Sequence, residues 1–155
     1  MFEKVLVCLD GSRLAEQILP YAVEEALHFK SKVILLKVMT VPRSVTVSSA
    51  AGLPVQTGDI IEEEINREQR EANQYLESVG KQLKEKGLEV EIVVLQPAPV
   101  GDAIVRYAKE NHVDLICIAT RGHSGLGRVI FGSVADYVLK GSGLPILVIK
   151  PEDSK

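Results

Sequence analysis

Five short apolar runs, each followed by a helical pattern or the chain's polar end, constrain this sequence more than any other feature. They are Val5-Leu6-Val7-Cys8-Leu9, Val33-Ile34-Leu35-Leu36-Lys37-Val38-Met39, residues 90–95, Asp114-Leu115-Ile116-Cys117-Ile118-Ala119 and Leu144-Pro145-Ile146-Leu147-Val148-Ile149. The runs are nearly continuous instead of alternating, as in strands buried on both faces. Strands separated by helices predict a parallel sheet with helices on both sides. A chain of 155 residues suits one core and leaves little room for two.

The helical segments carry their own punctuation. Asp10-Gly11-Ser12 stops the first strand, and Ser12 is placed to cap a helix with apolar positions Ala15, Ile18, Leu19, Ala22, Ala26 and Phe29. Pro20 falls inside that stripe, which predicts a kink or two short helices. Residues 40–58 show no clear periodicity and contain Pro42, Gly52 and Pro54, so a long functional or mobile loop is expected there. A helix with apolar positions Ile61, Ile65, Ala72, Leu76, Val79 and Leu83 follows. Asp59 with Glu62 reads as a capping box, and Gly87 as its terminator. The next helix, residues 101–111, should bury Ile104, Tyr107 and Ala108, and a last one from Gly132-Ser133 carries Val134, Val138 and Leu139.

Charge and cysteine content exclude several classes. With 18 basic and 21 acidic side chains, a net charge of -3 gives no global attraction for nucleic acid or anionic lipid. The longest apolar runs are too short to cross a bilayer, and Met1-Phe2-Glu3-Lys4 leads straight into a strand without a signal-like segment. Two distant cysteines form no disulfide framework. A soluble cytoplasmic protein is expected. Cys8 and Cys117 read as buried core residues, and His28 and His112 lack ligand spacing with them, so no metal site held by side chains is expected.

In parallel sheets ligands sit beyond the carboxyl ends of strands, where strand order reverses. That rule points to Asp10, Val38 and residues 119–133. The last of these reads Ala119-Thr120-Arg121-Gly122-His123-Ser124-Gly125-Leu126-Gly127-Arg128-Val129-Ile130-Phe131-Gly132-Ser133. A strand feeding a glycine-rich turn that re-enters a helix gathers backbone N–H groups, with about half a positive charge at the helix start. A phosphate chain suits such a place. Gly122 allows close backbone approach, Gly132-Ser133 opens the helix with donors and a hydroxyl, and Arg121, His123 and Arg128 make the loop basic. His123 can donate to a phosphate, although a simple surface histidine is the favoured reading. The G-x-x-x-x-G-K-[ST] loop is absent, and no G-x-G-x-x-G follows the first strand. A phospho-accepting Asp is missing from the third strand's end, which reads Leu95-Gln96-Pro97, so a receiver domain is excluded.

Through these same segments the chain resembles the universal stress proteins, essentially end to end. The nucleotide-binding branch of that family carries G-x2-G-x9-G-[ST]; here Ala119, Gly122 and Gly132-Ser133 keep the spacing, with Ala at the first glycine. The resemblance implies one doubly wound, Rossmann-like α/β domain over residues 1–155, with five parallel strands in the order 3-2-1-4-5. It further implies ATP accompanied by Mg2+: Asp10 on the ribose, Val38 backbone on the adenine edge, Ile118 and Ala119 along the nucleoside. Gly122, Gly132, Ser133 and Val134 would hold the phosphates, beside Arg121 and His123.

No Ser-His-Asp, Cys-His or paired-carboxylate set accompanies the site, so no catalytic residue is assigned and at most slow ATP hydrolysis is expected. The favoured role is an ATP-binding stress-response or signalling module. The rival is a nucleotide-free interaction protein, which Ala119 alone favours. Under either, the apolar last strand, residues 144–149, would be a sheet edge that pairs with a second copy into a homodimer. A nucleotidyl transferase would need acidic or histidine signatures that are not found.

Overall fold

The computed structural model describes residues 1–41, 51–52, 58–120 and 132–153. Their strands are β1 (Lys4–Cys8), β2 (Lys32–Val38), β3 (Glu89–Leu95), β4 (Leu115–Ala119) and β5 (Ile146–Ile149). They form one parallel sheet in the order β3-β2-β1-β4-β5, with Val5 opposite both Val33 and Leu115. The helices are α1 (Arg13–Glu16), α2 (Leu19–Phe29), α3 (Gly58–Glu85), α4 (Val100–Glu110) and α5 (Ser133–Gly141). Most of the expected 40–58 loop and of the glycine-rich loop lies outside the described residues.

Side-chain alternation along the central strands builds a core on each face. Val5, Val7, Leu9, Val33 and Leu35 meet Ile18, Ala22 and Ala26 at α2 and Leu76, Val79 and Leu83 of α3. On the other face Leu6, Cys8, Ile34, Leu36 and Val38 meet Ala103, Ile104 and Ala108 of α4 and Ala135 and Val138 of α5. Cys8 and Cys117 are buried as expected. Burial, with the other thiol nearby, pushes the Cys8 thiol up; burial, with Glu25 nearby, pushes that of Cys117 up to about 12.

Local signals mostly act as their chemistry predicts. Ser12 caps α1, its Oγ accepting from the Ala15 N–H at 3.1 Å. Pro20 splits the helical stripe in two: α1 ends at Glu16, and α2 restarts with the proline in its first turn, where no N–H is needed. Gly87 follows α3 at φ +88°, a left-handed conformation that favours glycine.

Two expectations need correction. Helix α3 begins at Gly58, so Asp59 lies inside the first turn and complements the helix dipole instead of capping it. Tyr107 is only half-buried, packed against the edge of the α4–α5 core. Leu139 is 49% exposed, because it sits about 100° around the helix from the buried Val138.

The amino end of the sheet is closed by one carboxylate. Asp114 Oδ2 accepts from the N–H groups of Glu3 at 3.0 Å and Lys4 at 2.9 Å, and Lys4 Nζ donates to the Asn111 carbonyl at 2.9 Å. Ser31 Oγ donates to the Phe2 carbonyl.

Candidate functional site

Strand order reverses between β1 and β4: β2 and β3 follow β1 to one side, β4 and β5 to the other. Val7 lies opposite both Leu35 and Cys117. Continuing that register toward the carboxyl ends brings Asp10, Val38 and Thr120 to one level. The pairing persists there: the Leu9 N–H donates to the Leu36 carbonyl at 2.9 Å, and the Thr120 N–H to that of Ile149 at 2.9 Å. Because β4 and β5 are parallel, α5 runs back between them and starts at this same end of the sheet.

Asp10 is exposed and ends β1 in a tight turn. Its Oδ1 accepts from the Ser12 N–H at 2.8 Å, and Gly11 supplies φ +89°. A side chain there would be strained, so the glycine is required by the turn. Val38 is buried, with its side chain in the α4–α5 core, at the last register position of β2, opposite Leu95. The exit from β2 is tied down. The Met39 N–H donates to the Leu95 carbonyl at 3.0 Å, while the Thr40 N–H and Oγ1 reach Glu68 Oε1 at 3.1 and 3.2 Å.

Ile118 is buried in the α4–α5 core, and Ala119 packs partly against the opposite core. Ala119 is absent from the positive-φ residues, so its methyl group strains nothing. Replacing the motif glycine by alanine is thus compatible with this backbone. Gly132 is the N-cap of α5, at φ -53° and ψ 157°, and brings no side chain to cap the helix. Ser133 is exposed and Val134 half-buried. An uncapped helix start with an exposed hydroxyl fits a phosphate-bearing ligand. Arg121, Gly122 and His123 lie outside the described residues.

Sequence reasoning missed the residues that hold the Asp10 turn from outside. Tyr75 of α3 donates its hydroxyl to Glu16 Oε1 at 2.8 Å. Burial first, then the hydrogen bond and charge of Glu16, then the charge of Asp10, push that phenol well above its usual range. The Gln17 side chain donates to the Glu152 carbonyl at 2.8 Å and accepts from the Glu152 N–H at 2.9 Å. The signal available for Tyr75 is its position one residue before Leu76, an aromatic with a polar tip at the border of a buried stripe. Nothing local marks Gln17.

The topology defines a doubly wound α/β protein, a class whose ligands generally sit beyond the strand ends at the switch point. The family model described as "Universal stress protein family" matches residues 1–150, and the chain belongs to that family. Universal stress protein YxiE of Bacillus subtilis is 34% identical over 152 residues, covering 97% of this chain and 100% of the relative. The solved structure of MJ0577, from Methanocaldococcus jannaschii, superposes with a TM-score of 0.74 at 28% identity, covering 99% of each chain. A universal stress protein from Archaeoglobus fulgidus in complex with dAMP has a TM-score of 0.64 at 24% identity, covering 97% of this chain and 98% of that one. A universal stress protein solved in complex with cAMP has a TM-score of 0.61 at 22% identity, with coverage of 97% and 98%. No helix among the described residues is long and apolar enough to cross a membrane.

Proposed function

We propose that this universal stress protein binds ATP with Mg2+ at the β1–β4 switch point and acts as a stress-response or signalling module in the cytoplasm. One observation carries the reading: the Asp10 turn, the anchored end of β2 and the uncapped start of α5 all belong to the same end of the sheet. Asp10 would take the ribose hydroxyls, and the backbone at Val38 the adenine edge. Ile118 and Ala119 would lie along the nucleoside with their backbone. Gly132, Ser133 and Val134 would hold phosphate, joined by Arg121, Gly122 and His123. The dAMP and cAMP complexes of proteins with this fold support an adenine nucleotide. Mg2+ would screen the triphosphate charge.

The sheet edges support a homodimer through β5. At the β3 edge Lys32 Nζ pairs with Glu91 at 2.7 Å and stands 3.8 Å from Glu89, so the rim is charged. At the other edge all four β5 residues, Ile146–Ile149, are apolar and half-buried. An apolar edge without such charges favours pairing with a second copy.

A thermal-shift measurement with Mg-ATP tests the nucleotide reading. Ligand at 100 times Kd adds about 2.7 kcal/mol of stability, a clear rise in Tm. Gly132→Val suits the φ of -53° yet fills the phosphate approach, and should abolish that rise. An unchanged Tm for the wild-type protein at millimolar Mg-ATP refutes nucleotide binding and leaves the interaction-protein reading.

A further inference from the structure

We infer that Tyr75, acting through Glu16, is a positioning residue for the nucleotide, because it fixes the turn that carries Asp10. The inference rests on the ATP reading above. None of the four residues of α1 is fully buried. Ala15 packs partly against the sheet core, but with no residue fully buried that single turn is held weakly by burial alone. Polar anchors add to it. Glu16, the last residue of α1, takes the Tyr75 hydroxyl at 2.8 Å, and the next residue, Gln17, clasps both backbone groups of Glu152 at 2.8 and 2.9 Å. Two consecutive residues thus tie α1 to the long helix α3 on one side and to the chain beyond β5 on the other.

The connection from Glu16 back to Asp10 is hydrogen-bonded at each step. The Glu16 N–H donates to the Ser12 carbonyl at 3.3 Å, the Ala15 N–H to Ser12 Oγ at 3.1 Å, and the Ser12 N–H to Asp10 Oδ1 at 2.8 Å. The Tyr75 ring packs against the sheet core, so the core sets where its hydroxyl stands. One side of the Asp10 turn is thus held by β1 through Leu9 and the other is referred to the rigid interior through Tyr75, so loss of that single hydroxyl loosens the turn without hollowing the core.

Tyr75→Phe keeps the ring and removes only the donor. Amide hydrogen exchange of the full chain without nucleotide should show faster exchange at Ser12, Ala15 and Glu16, with β1 and β2 unchanged. Mg-ATP affinity should fall about 2–10-fold, the scale of one hydrogen bond. In an Asp10→Ala background Tyr75→Phe should cost nothing further, and Glu16→Gln, which keeps an acceptor, should retain affinity. Unchanged exchange at Ser12 overturns the anchoring. Fully additive affinity losses in the double variant overturn the route through Asp10 alone. Wild-type protein that takes up no Mg-ATP overturns the ATP reading, and the positioning role with it.

Discussion

Replacing Gly101 with alanine probes how α4 places α5, whose start carries Gly132 and Ser133. Gly101 is buried in the first turn of α4. A Cβ there would stand 2.9 Å from Cδ1 and Cγ of Tyr137 and 3.0 Å from its Cβ. Carbon atoms prefer about 3.5–4.0 Å, so these contacts are repulsive. Turning the Tyr137 ring relieves only part of the clash, since its Cβ moves only with the α5 backbone. Overpacking of this kind costs about 1–3 kcal/mol. Alanine returns up to about 1 kcal/mol of helix propensity over glycine. The net destabilisation is about 0.5–2 kcal/mol, or a fall in Tm of about 1–8 °C for a chain this long. Urea and thermal unfolding measure it, with Tyr137→Ala as the second background, where the cost of Gly101→Ala should shrink. A Gly101→Ala protein as stable as wild type, or an undiminished cost in the Tyr137→Ala background, refutes the packing argument.

Three further expectations follow from the same geometry. Asp114→Ala deprives the Glu3 and Lys4 amides of their acceptor and should cost about 1–3 kcal/mol in urea unfolding, whereas Asp114→Asn should recover part of it. The folded chain holds the Cys8, Cys117 and Tyr75 protons to higher pH than the unfolded chain does. Stability should therefore be complete below about pH 8.5 and fall as pH rises, by up to about 1.4 kcal/mol per pH unit for each buried thiol; a flat profile between about pH 8 and about pH 10.5 contradicts this. Ala119→Gly restores the motif glycine at a position with no backbone strain, so it should cost about 0.5–1 kcal/mol of stability and leave Mg-ATP affinity within about threefold; a gain of tenfold or more would mean that the methyl group obstructs the ligand.

The parts of the fold that depend on local pattern were legible in the sequence. Continuous apolar strands gave away a two-sided sheet, Ser12 and Gly87 marked helix ends, and Pro20 marked the break between α1 and α2. The strand order 3-2-1-4-5, expected from the family resemblance, is the order observed. The switch point then singled out Asp10 and Val38 without any knowledge of side-chain contacts. What stayed hidden are contacts between residues far apart in sequence. Tyr75 meets Glu16 across 59 positions, Asp114 meets Glu3 across 111, and Gln17 meets Glu152 across 135. None has a local signature, because each is created when separate elements dock. The need for Gly101 is of the same kind, since only the approach of Tyr137 forbids a side chain there.

The central claim is that one end of the sheet receives an adenine nucleotide. Backbone amide NMR of the labelled full chain, titrated with Mg-ATP, tests it most directly. Saturable shifts are expected at Gly11, Ser12, Met39, Thr120, Ser133 and Val134, with the amides of Lys4 and Asn111 at the opposite end unmoved. Shifts centred on that opposite end, or none at millimolar nucleotide, would contradict it.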